Sequence, residues 1–68
     1  MKLLQIRPIH DKVRIINAEF IKEIEEGELS PHNTIIIMND NNYFEIEVSI
    51  GEFIATLLGA KSNDLIKF

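Results

Sequence analysis

The chain of 68 residues has no cysteine and no tryptophan, and only two prolines, three glycines and one tyrosine. Without cysteine it has neither a disulfide staple nor a thiolate zinc site, so hydrophobic packing must carry the fold. Long apolar runs are missing as well. Nothing approaches the roughly 20 residues of a membrane span, and the opening MKLLQIRPIHDK lacks the extended apolar centre of a signal peptide. The expectation is a cytoplasmic protein that does not engage a membrane. Excess positive charge is absent too: seven Lys and Arg stand against eleven Asp and Glu, a net charge of -4. That balance disfavours encounter with a phosphate backbone or an anionic surface. With no repeat, low-complexity tract or Pro/Gly-rich linker, residues 1–68 read as one domain.

What the chain does have is apolar side chains, 46% of its residues, punctuated by turn signals. Residues 2–7 alternate, with Leu4 and Ile6 on one face and Gln5 and Arg7 on the other, and Pro8 ends the run. A polar turn at His10, Asp11 and Lys12 precedes Val13–Ile16, where Val13 and Ile15 share a face, so the two segments suggest a hairpin. The stretch 17–27 is ambiguous. Asn17 is a good N-cap, Gly27 a good residue to follow a helix, and Phe20, Ile21 and Ile24 have helical spacing. The competing reading is one helical turn at 17–20 followed by a strand over 21–26, with tertiary pairing overriding weak local propensity.

The strongest local signal comes next. Thr34-Ile35-Ile36-Ile37-Met38 is β-branched and apolar, residues 39–42 tolerate left-handed backbone, and Tyr43-Phe44-Glu45-Ile46-Glu47-Val48 alternates throughout. If 39–42 form a four-residue loop, Met38 faces Tyr43, Ile37 faces Phe44 and Ile35 faces Ile46. Phe44, Ile46 and Val48 then share a core face with Ile35 and Ile37. Ser49-Ile50-Gly51-Glu52 has the pattern of a capping box. Ile50, Phe53, Ile54, Leu57 and Leu58 follow at i, i+3, i+4, i+7 and i+8, which predicts a helix over 50–58 with one face buried on the hairpin and Gly59 beyond its end. The tail from Ser62 fits either a short helix capped at Ser62 or an edge strand.

Few residues offer chemistry. A nucleophile needs an oriented base beside it, and the available groups are Ser30, Ser49 and Ser62 with His10 or His32. Ser49 is spent as a cap, and Ser30-Pro31-His32 reads as a loop. The oxygen-rich 39–42 run fails as a calcium loop, since Glu45 falls where the required Gly should be and Gly51 where the bidentate Glu should be. No catalytic residue, no metal ligand set and no cofactor site is expected, and the chain reads as a non-enzyme.

Charge and apolarity are more telling. Lys2, Arg7, Lys12 and Arg14 give residues 1–14 a local excess of +3, whereas Glu19, Glu23, Glu25, Glu26 and Glu28 give residues 19–28 a local -4. The four basic residues are the candidate nucleic-acid contact, and the acidic stretch is a candidate for masking an enzyme by charge mimicry. In the four-residue-loop register, Ile36, Met38 and Tyr43 lie opposite the helix, where a single-layer sheet would expose them. Either the N-terminal strands curl over them towards a barrel or a partner covers them. They are the candidate partner-binding residues.

The order of signals resembles the small flagellar FlbD (swarming-motility SwrD) family over residues 13–58. The matching stretches are Asn17-Ala18-Glu19-Phe20-Ile21-Lys22-Glu23-Ile24-Glu25, then Asn33-Thr34-Ile35-Ile36-Ile37, then Tyr43 through Ile54. That family carries an N-x-x-x-I-x-x-I-E segment, a T-x-I-x-L strand with an N-G turn, a Y-x-V-x-E-S strand end and an S-x-x-E-V helix start. Here residues 39–42 replace the turn glycine, Val48 stands where the family has an acidic residue, and the family's N-terminal L-N-G turn is missing. The resemblance implies the strand reading of 21–26 and a motility-related role.

The expectation is therefore a small α+β domain: an antiparallel sheet of four to five strands, flat or curled towards a barrel, with one C-terminal helix. Its expected function is protein–protein interaction with self-association. The alternatives are a nucleic-acid-binding regulator using the basic hairpin, or an acidic enzyme inhibitor.

Overall fold

Backbone pairing in this chain follows its β-branched runs. The computed structural model describes residues 2–61 and 63–68. Strands β1 (Leu3–Ile6) and β2 (Arg14–Asn17) form the expected antiparallel hairpin, and β6 (Leu65–Lys67) joins the other side of β1 in parallel. The second sheet holds β3 (Ile21–Glu26), β4 (Thr34–Met38) and β5 (Tyr43–Ile46), antiparallel in that order. Helix α1 (Ile50–Gly59) links β5 to β6. Among the described residues the protein is thus an α+β fold with six strands in two three-stranded sheets, which do not close into a barrel.

The ambiguous stretch resolves as a single 3-10 turn, Ala18–Phe20, followed by β3. Asn17 caps the turn by accepting the Glu19 N–H at 2.9 Å. The register of β3 on β4 slips between Ile21 and Glu23, which pair with Met38 and Ile37 and leave Lys22 as an extra residue. A bulge of this kind returns Ile21 and Ile24 to the same face although they lie three apart. Both pack against the core.

The β4–β5 loop is one residue tighter than expected, and this corrects the register. The Met38 carbonyl accepts from the Asn41 N–H at 2.9 Å and the Met38 N–H donates to the Asn42 carbonyl at 2.8 Å. Asn41 takes the left-handed position at φ 69 that such loops usually give to glycine. Ile37 therefore faces Tyr43, Ile36 faces Phe44, and Thr34 faces Ile46. Because side chains alternate, the one-residue change swaps the two faces of β4. Ile36 goes into the core, while Ile35 and Ile37 share the outer face with Tyr43.

The core lies between the inner faces of both sheets. Leu4, Ile6 and Ile66 come from one sheet, Ile36 and Ile46 from the other, and Phe53 from the helix. Phe53 stacks on Phe68 with ring centroids 4.9 Å apart. The Ser49 Oγ accepts the Glu52 N–H at 3.3 Å, as a helix N-cap should. The helix then runs through Gly59 and ends on extended Ala60, so Gly59 is not the left-handed terminator anticipated. Of the anticipated buried stripe only Phe53 is fully enclosed, and Ile54 and Leu58 face solvent. A core fed by two sheets needs less of the helix than a single hairpin would. The alternative that made Ser62 a helix cap falls on a residue outside those described; the segment after it is strand β6.

Candidate functional site

Two features shape the surface: a groove at the 39–42 end and a pinned loop at the opposite end of β4. The groove has a volume of about 450 Å³ and is lined by Ile16, Phe20, Met38 and Phe44, with Asn39, Asp40 and Asn42 along its rim. Its geometry follows from local structure. The 3-10 turn holds Phe20 out from the sheet, and the Phe20 carbonyl accepts the Asn39 N–H at 2.8 Å, fixing the hairpin loop against that turn. Asp40 braces the rim by accepting the backbone and side-chain N–H groups of Asn42 at 3.1 and 2.9 Å. Phe20 is 56% exposed. The result is an open apolar trough with a polar border, the general form of a binding surface.

Of the three residues expected to meet a partner, the structure brings only Met38 to this groove, where it is half-buried. Tyr43 lies on the outer face of β5 and is 70% exposed. Ile36 is wholly enclosed and offers no surface, because the tighter loop turned it inward. Phe20, Ile16 and Phe44 complete the groove and were missed. Phe20 was legible only as the residue after a capped Asn17 turn, and spacing alone had placed it on a helix.

The basic candidates do not form one surface. The Lys2 Nζ donates to the Leu57 carbonyl at 2.8 Å, placing a cation at the C-terminal end of α1, where the helix dipole favours it. The Arg14 Nε donates to Asp11 at 3.0 Å, and the guanidinium lies 5.1 Å from the centre of the Phe44 ring on the inner side. Arg14 holds the Asp11 carboxyl below its usual range, helped by the Lys12 backbone N–H. Arg7 and Lys12 are exposed.

The loop of residues 27–33 is tied to β5 through Glu45. Its carboxylate accepts the Asn33 Nδ2 at 2.8 Å, the Leu29 N–H at 3.0 Å and the Glu28 N–H at 3.2 Å. Gly27 makes this closeness feasible. A Cβ there would lie 2.6 Å from the Asn33 Cβ and 2.7 Å from the Glu45 Oε2. Leu29 stands out at the tip, 67% exposed. The Asn33 amide, then the Leu29 and Glu28 N–H groups, hold the Glu45 carboxyl below the usual carboxylate range against an opposing desolvation. Since these bonds favour the ionised form, the tether is complete above the ordinary glutamate pKa and is lost as pH falls through the lowered one. In an NMR titration the Glu28 and Leu29 amides should shift only below the ordinary glutamate range. Movement centred on that range would mean that the tether does not hold in solution.

His10 sits exposed in the first turn at φ 62, and His32 in the pinned loop donates its backbone N–H to the Ser30 Oγ at 3.2 Å. Among the described residues no three His, Asp or Glu side chains gather as a metal site, and no helix is long and apolar enough to cross a membrane. No family model, curated protein or solved structure matches the chain.

Proposed function

We propose that this domain is a non-enzymatic protein–protein interaction module that works in the cytoplasm and associates with itself. The observation that carries the reading is the groove of Ile16, Phe20, Met38 and Phe44, an apolar surface held open by hydrogen bonds on a domain this small. A chain near this length buries only about 60% of its unfolded surface, so further burial against a partner is favourable. The Ser30 Oγ accepts the backbone N–H of His32 at 3.2 Å, a turn contact and not the side-chain pairing that would activate a nucleophile. The resemblance of residues 13–58 to the FlbD/SwrD family supports a motility-related setting. With Lys2 and Arg14 engaged internally, the nucleic-acid alternative has less to stand on than the charge count implied.

Phe20 is exposed, so Phe20→Glu should leave the fold intact while placing a charge at the groove. By sedimentation velocity the wild-type protein should show a mass that rises with concentration, and Phe20→Glu should lower it at the same loading. A wild-type chain that stays monomeric at every concentration would defeat the self-association. Unchanged sedimentation of a folded Phe20→Glu variant would remove the groove from it.

A further inference from the structure

Each sheet has two outer strands, and three of these four are guarded against pairing with another chain. The free side of β5 is taken at Glu45, whose carbonyl accepts the Ile9 N–H at 2.9 Å. β3 carries the bulge at Lys22 and a row of exposed charges, Lys22, Glu23, Glu25 and Glu26. β6 closes on exposed Lys67. Bulges and outward charges keep strand edges apart. β2 has neither. Its ladder with β1 is regular from Asn17 opposite Leu3 to Arg14 opposite Ile6. Its one charge, Arg14, is half-buried, turned over the Phe44 ring and held by Asp11. Exposed on the other face are Val13, just before the strand, and Ile15, at 46% and 59%.

The main chain of β2 is turned to suit a further strand. The Gln5 carbonyl accepts the Phe68 N–H at 2.9 Å, so Gln5 directs its hydrogen-bonding groups away from β2. Ile15 lies directly opposite Gln5, and in an antiparallel ladder such a pair turns its groups outward on both sides. The Ile15 N–H and C=O therefore face the open edge, where no backbone group meets them among the described residues. That edge borders the groove, since Ile16 belongs to both.

Resting on the self-association proposed above, we infer that two copies join β2 to β2 in antiparallel about a two-fold axis through Ile15, merging two three-stranded sheets into one. Charge selects a second copy in this orientation. Lys12 precedes the strand and Glu19 follows it, both exposed, so antiparallel pairing sets the Lys12 end of each copy beside the Glu19 end of the other. Parallel pairing would bring like charges together. Centring on Ile15 lets the outward N–H and C=O of that residue bond their counterparts across the axis and places the two exposed isoleucines side by side. The interface is isologous, so assembly ends at the dimer.

The test uses Ile15→Lys and Ile15→Glu in the full chain, checked by circular dichroism for wild-type fold, because each variant sets like charges face to face on the axis. In sedimentation equilibrium the wild-type mass should rise with concentration to the dimer value and stop there. Each variant alone should stay monomeric at the same loading, and their equimolar mixture should regain the dimer. A wild-type mass that climbs past the dimer, variants that associate as the wild type does, or a mixture that stays monomeric overturns the β2 pairing. Self-association itself then stands, with the Phe20→Glu result showing whether the groove drives it. A wild-type chain that never leaves the monomer overturns both. If either variant fails to fold, amide hydrogen exchange of the wild type decides. The Ile15 N–H should be protected at concentrations that give dimer and exchange faster at those that give monomer, and equal exchange at both overturns the pairing.

Discussion

Phe53→Ala should remove about 3–5 kcal/mol of the domain's stability at 25 °C. Phe53 is the one fully buried residue of the helix, it meets core residues from both sheets, and its ring stacks on Phe68. Truncating a buried phenylalanine costs about 3–5 kcal/mol, because the lost transfer energy adds to that of the cavity left behind. A domain of this length has a total stability of about 3–10 kcal/mol, so the loss takes a third or more of what there is. Urea denaturation followed by circular dichroism gives the difference directly. A loss below about 1 kcal/mol would mean that the helix is not anchored through this ring.

The second large effect separates neighbours on β4. Ile36→Ala should cost about 2–5 kcal/mol, since Ile36 is fully enclosed between Ile24 and Phe44, whereas Ile37→Ala should cost clearly less, since Ile37 lies half-buried on the outer face beside Tyr43. The pair reads the hairpin register. If Ile37→Ala proved the costlier, the four-residue loop and the opposite facing of β4 would be restored.

That contrast shows what the sequence could and could not disclose. Strand identity was legible because β-branched runs and turn residues repeat the same message, and β1, β2, β4, β5 and α1 fall where pattern places them. Facing was not, because it hangs on one loop residue. The run Asn39-Asp40-Asn41-Asn42 allows either three or four residues in the loop, and the left-handed Asn41 selects three. The helical spacing of Ile21 and Ile24 left helix and strand both open for a related reason, and the strand that the family resemblance implied is the one formed: a bulge at Lys22 produces the same three-residue interval inside a strand. The groove was half visible. Met38 was singled out for the wrong facing, and Phe20 reaches the site through a 3-10 turn and a hydrogen bond to the far hairpin, contacts that no local pattern encodes. The parallel place of β6 was equally hidden, since nothing near Leu65 names its partner.

That last strand has a kinetic consequence. Leu65 finds Leu3 across sixty-two intervening steps of chain, and Ile66 must arrive before Leu4 is enclosed on both flanks. Loop-closure entropy on this scale is lost before any contact repays it, so folding should be slow for so small a domain. Until that final docking, an intermediate would carry a bare β1 edge, a ready template for the tail of a neighbouring molecule and hence for domain-swapped species at high concentration.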